Sequence, residues 1–126
     1  MLPFNHMNKV IIHRQDWGTT AHMNAFSNRG RDVNLPRTKA FEYYTNLYNE
    51  TACEQAFHIT NAPDECLTPE QFNMRKGFTG PCVSVGDMIE IVSDEGSTDR
   101  YICDHIGWVH VSRNLYPNLA IEHENV

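Results

Sequence analysis

Polar and apolar positions along the chain change period several times, and each change marks an element. Val10-Ile11-Ile12 is a short β-branched run between Lys9 and His13-Arg14, which predicts a first strand. Residues 15–35 show no period and are rich in Asn, Gly, Thr and Arg, so they read as a long loop with short turns. A loop of that length in a compact domain signals either function or a missed element. From Pro36 onward Phe41, Tyr44, Leu47 and Tyr48 recur at helical spacing, and Ala52, Ala56 and Phe57 extend the stripe. With Asn34 as candidate cap and no Gly or Pro over 37–60, the pattern predicts an aromatic helix over 37–56, with a break near Asn49.

The clearest local signal is Thr68-Pro69-Glu70-Gln71. Thr68 stands at N-cap, Pro69 at N1 and Gln71 at N3, a capping box, with Leu67 and Phe72 placed for a hydrophobic staple. Gly77 is placed to stop the helix, which predicts a short helix over 69–76. Gly80-Pro81 then resets the chain. Val85-Gly86-Asp87 reads as a turn opening the strand Met88–Val92, and Asp94–Asp99 has hairpin chemistry. Residues 100–105 return as a strand, Ile106-Gly107 turns, and Trp108–Val111 makes a third strand. Residues 114–126 read as a polar tail. The expected fold class is α+β: a small antiparallel β-meander from Pro81 to Ser112 packed against one long aromatic helix and one short helix, in a single domain over 1–126. Ile89, Ile91, Ile102 and Val109 are the expected sheet face against the aromatic helix.

Length and composition are consistent with that picture. A chain of 126 residues buries about two-thirds of its unfolded surface, enough for a core without staples. No apolar run reaches membrane-spanning length, and Met1–Met7 lacks the charged start and apolar stretch of a signal peptide, so the expected location is the cytoplasm. His6-Met7 resembles a pair left by a cloning site, and residues 1–6 carry no functional weight. The four cysteines, Cys53, Cys66, Cys82 and Cys103, form no C-x-x-C pair and read as free thiols in a reducing compartment.

Charge changes the picture more. Residues 1–40 hold six Lys/Arg against two Asp, a net +4, whereas residues 41–126 hold four bases against fourteen acids, a net −10, together the −6 of the whole chain. An acidic face of that kind repels nucleic acid and attracts basic protein surfaces. The candidate partner-binding residues are therefore Asp94, Glu95, Asp99 and Asp104, joined by Tyr43, which points away from the 41/44/48 stripe and would suit an interface. Arg29, Arg31, Arg37 and Lys39, with Trp17 and Phe26 for stacking, are the alternative, a direct nucleic-acid contact.

Catalytic signatures are weaker. Cys103 and His105 share a strand face, and His110 lies on the next strand, so with Cys82 or Asp104 they form the weak metal alternative. The usual zinc-ligand spacings are absent. Cys53 and His58 are five apart, which is not a facing helical spacing. Asp64/Glu65 and Asp94/Glu95 are sequence neighbours and read as a solvated rim, not an acid–base pair. Gly77, Gly80 and Gly86 lead into a strand, so no phosphate cradle forms. No cofactor and no catalytic residue is expected.

Three stretches carry a resemblance: Ala56–Pro63 (AFHITNAP), Val83–Ile91 (VSVGDMIEI) and Tyr101–Trp108 (YICDHIGW). Over residues 56–111 the chain resembles the YodL-like domain family, small proteins and modules carried by phages, plasmids and integrative elements. The pattern runs from an aromatic helix end through Asn and Pro to an SVGD-like turn, a strand, and a Tyr-containing strand ending in Gly plus an aromatic. Pro81-Cys82 and the long stretch before the turn depart from it. The resemblance implies a mobile-element accessory protein that binds a host or element protein. It supplies no catalytic residues.

Overall fold

A computed structural model describes residues 7–15, 37–104 and 106–111. Its elements are β1 (Asn8–Gln15), β2 (Arg37–Thr45), α1 (Asn49–Asn61), a 3-10 turn (Asp64–Cys66), α2 (Pro69–Arg75), β3 (Met88–Val92), β4 (Thr98–Cys103) and β5 (Trp108–Val111). The strands form one antiparallel sheet in the order β2-β1-β3-β4-β5. With two helices beside it, the arrangement is α+β.

The meander of β3, β4 and β5 is present as its alternation predicts, and β1 joins it by pairing with β3, Ile12 opposite Ile89. The strand expected over 100–105 begins earlier, at Thr98, and ends at Cys103. The long aromatic helix is the main correction. Residues 37–45 are a strand, and the helix begins only at Asn49. Phe41, Tyr44 and Tyr48 fit a helical period, but Phe41, Tyr43 and Thr45 fit a strand period equally well. Pairing with β1 decides between them, because Tyr43 and Thr45 are then buried while Tyr44 stays 52% exposed. The register skips Ala40: Ile12 faces Phe41 and His13 faces Lys39, a β-bulge that keeps Phe41 on the core side. Thr45 ends the strand, and Asn49 turns the chain into the helix at φ +55, a left-handed conformation asparagine tolerates.

The core lies between one sheet face and α1. Ala52, Cys53, Ala56 and Ile59 recur at helical spacing and pack on Val10, Ile12, Ile89, Ile91, Tyr101 and Cys103. Each fully buried isoleucine contributes about 1.5–3 kcal/mol. Ile102 and Val109, both expected on this helix-facing side, face each other in the β4–β5 register, alternate with Tyr101 and Cys103, and so lie on the opposite face. Arg75 ties α2 to the end of α1, donating to the Ile59 and Ala62 carbonyls at 3.3 and 2.6 Å and pairing with Asp64. The capping box forms in full: the Gln71 amide donates to Thr68 Oγ1 at 3.1 Å and the Thr68 amide to Gln71 Oε1 at 3.0 Å. Phe72 remains 45% exposed, so only the Leu67 half of the expected staple packs on the core.

The turn before β3 is a second anchor. Gly86 sits at φ +97, where a side chain is strained. Asp87, 1% exposed, accepts the Gln15 amide on Oδ1 and the Ser84 amide on Oδ2, both at 3.0 Å. Gly86 donates to the Cys103 carbonyl, and its own carbonyl accepts Arg37 Nε at 2.9 Å. Three strands therefore meet on this turn. The serine expected to share the bonding does so only through its amide, since Ser84 Oγ has no partner among the described residues.

Candidate functional site

The hairpin between β3 and β4 is tied by a knot of polar bonds. Ser93 donates its amide to the Ser97 carbonyl at 2.8 Å, and Gly96 donates back to Ser93. Ser93 Oγ accepts the Glu95 and Ser97 amides at 3.2 and 3.1 Å and contacts Ser97 Oγ at 2.8 Å. With its backbone bonds met internally, the loop turns Asp94 and Glu95 outward, and both are exposed. Asp99 lies on β4, half-buried, 3.1 Å from His110 Nε2.

These three carboxylates share a concavity of about 370 Å³ with Asn8 of the neighbouring β1, with Asn46 and Tyr48 of the link after β2, and with Asn49 at the start of α1. Asn8 Nδ2 donates to the Leu47 carbonyl at 2.7 Å and so fixes the chain between β2 and α1 against β1. Tyr101 OH donates to Asn49 Oδ1 at 3.4 Å. Burial, with Asp99 and Glu50 nearby, pushes the Tyr101 hydroxyl up to about 12, so the phenol stays neutral. Tyr48, 65% exposed, is the aromatic group at the rim. The arrangement offers carboxylates, amides and one phenol to a ligand, a set suited to a positively charged surface.

The other predicted partner-binding residues fall elsewhere. Tyr43 is 7% exposed and belongs to the core, because strand pairing turns it toward α1; burial pushes its hydroxyl well up. Asp104 is 9% exposed and lines a second cavity, away from the hairpin. Asn8, Asn46, Tyr48 and Asn49 were not singled out by the sequence. Asn46 and Asn49 flank Leu47 and Tyr48, which read as part of the helical stripe, and Asn8 joins them only through the pairing of β1.

Of the basic group, Arg29 and Arg31 lie outside the described residues, as do Trp17, Phe26 and the tail over 114–126. Arg37 donates to Gly86, and Lys39 Nζ binds Glu42 Oε1 at 2.7 Å, which holds the Glu42 carboxyl below its usual value. Two of the four bases are thus engaged by the chain itself.

Of the metal alternative, Cys103 and His110 lie among the described residues. Cys103 is buried opposite Trp108, and burial with Asp87, Asp104 and Glu54 nearby pushes its thiol up to about 12. His110 is drawn to Asp99 and stacks on Tyr101 with ring centroids 4.6 Å apart. Cys82 is exposed, and His105 lies outside the described residues. No group of three metal-ligating side chains forms among the described residues. Cys53 is fully buried and its thiol is pushed up, while His58 turns to the Cys66 carbonyl at 3.3 Å. All four cysteines are free. Among the described residues no helix is long and apolar enough to cross a membrane.

No family model, no curated protein and no solved structure matches the chain.

Proposed function

We propose that this chain is a non-catalytic interaction protein that docks a basic protein surface in the concavity beside the β3–β4 hairpin. The observation that carries the reading is the convergence of Asp94, Glu95 and Asp99 with Tyr48 and three asparagines on one concave surface. The −10 balance of residues 41–126 supports it, because it steers basic partners toward this half of the chain. The resemblance of residues 56–111 to YodL-like domains supports a setting in a phage or plasmid. There the partner is a host or element protein in the cytoplasm. An inhibitor of a nucleic-acid-directed defence system, occupying a basic nucleic-acid channel, is the instance this charge pattern suits best.

The test is parallel capture from host lysate with the native chain and with an Asp94→Asn/Glu95→Gln/Asp99→Asn variant. One basic protein should be retained by the native chain and lost by the variant, with affinity falling steeply between low and high salt. Identical captured sets, or salt-insensitive binding, would count against the reading. A low-salt gel shift separates the nucleic-acid alternative: a shift that disappears when Arg29 and Arg31 are replaced would favour it.

A further inference from the structure

A second cavity, of about 190 Å³, opens between α1 and the β4–β5 turn, lined by Glu54, Phe57, Cys103, Asp104, Gly107 and Trp108. Its chemistry differs from that of the hairpin. Phe57, 41% exposed, and the half-buried Trp108 supply aromatic walls. Trp108 Nε1 donates to Glu54 Oε2 at 2.9 Å, which fixes the indole and brings the carboxylate to the rim. The Asp104 amide donates to the Gly107 carbonyl at 3.0 Å and closes the turn beside the cavity. The floor is the Cys103 thiol, kept neutral by burial and by Glu54 and Asp104 near it. Beside the opening Ile106, an apolar side chain in the turn, stands 92% exposed.

We infer that this cavity receives one arginine side chain from a partner protein, held between Phe57 and Trp108 and charge-paired with Glu54 and Asp104. Three features favour that occupant. A guanidinium plane stacks on aromatic faces while its edge forks to carboxylates, which a lysine ammonium does less well. A carboxylate has about four acceptor sites, so Glu54 can hold the indole and still accept from a ligand. Among the described residues no basic side chain lines the cavity, and two carboxylates at its walls repel phosphates and other anions. Phe57 and Ile106 then meet the apolar residues flanking the arginine. Among the described residues this cavity shares no lining residue with the hairpin concavity.

The test follows the Trp108 indole N–H by NMR in the full chain, assigned with Trp108→Phe, during titration with acetyl-Leu-Arg-Leu-amide. Citrulline and lysine versions of the peptide are the controls. The arginine peptide should give a saturable shift, bind at least fivefold tighter than the lysine peptide, and lose at least tenfold with citrulline. Glu54→Gln, which still accepts from the indole, should weaken the arginine peptide at least fivefold; Phe57→Ala should do the same. An Asp94→Asn/Glu95→Gln variant should leave this binding unchanged, which separates its failure from that of the hairpin reading. No saturable shift, equal binding of the arginine and citrulline peptides, or equal binding of arginine and lysine would overturn the assignment. So would a loss caused by the hairpin variant.

Discussion

Strand β3 has an aspartate-bearing turn at each end, and the two turns do opposite things with their acids. Before the strand, Asp87 is 1% exposed, and both of its oxygens are spent on the Gln15 and Ser84 amides. After the strand, Asp94 and Glu95 stand exposed, and the loop's amides are met by Ser93. The first turn holds β1, β2 and β4 together through Asp87 and Gly86. The second hands its charges to a concavity. The difference teaches that an acid near a turn is structural when it supplies the acceptors for distant backbone amides. It stays at the surface when a neighbouring serine supplies them instead.

The sharpest break of this contrast is at Gly86. A valine there is forced to φ +97 in a buried turn, and the expected loss is about 3 kcal/mol or more, read as a large fall in Tm. An unchanged melting curve would contradict the role assigned to the turn. Next comes Asp87→Ala, which leaves two amides without their acceptor and should cost about 2–4 kcal/mol in urea titration. The matched change at the other end, Asp94→Ala with Glu95→Ala, should stay within about 0.5 kcal/mol. Comparable losses at the two ends would erase the distinction.

A smaller effect is expected from pH. Burial raises the Asp87 carboxyl above its usual value, against the pull of the two amides and of Arg14 and Arg37. A carboxyl whose folded pKa is raised contributes stability that is fully present below the unfolded pKa and lost as pH rises through the folded one. The stability difference between the native chain and Asp87→Ala should therefore narrow on going upward through that window. A difference that widens would show that the amides and arginines outweigh burial. Smallest is a thiol contrast within the same fold. Cys66 and Cys82 are exposed, whereas Cys53 and Cys103 are buried with raised pKa values. Ellman's reagent at pH 8 should titrate two thiols quickly and the other two only in denaturant.

Legibility in the sequence followed the range of the interactions. The Thr68–Gln71 box, the Gly86 turn, the hairpin and the meander are local, and each was readable from residues within a few positions of one another. The aromatic segment over 37–45 was not, because its spacing suits helix and strand alike and the decision is made by β1, far away in the chain. That one choice moved Tyr43 from surface to core and brought Tyr48 to the rim of the concavity. It also concealed the asparagines that share the site with the hairpin acids, since Asn8 reaches Leu47 only after β1 and β2 have paired. Asp104 looked like one more rim acid, yet the tight turn to Gly107 buries it by the second cavity.

One comparison of affinities tests the hairpin docking surface most directly. The protein retained by the native chain is titrated calorimetrically with the native chain and with Asp94→Asn/Glu95→Gln/Asp99→Asn, after their melting curves have been shown to coincide. Exposed charge pairs contribute up to about 1 kcal/mol each, so three should together weaken binding by about tenfold or more. They should also flatten its salt dependence. Equal affinity and equal salt dependence in the two titrations would contradict the claim that the hairpin acids form the docking surface.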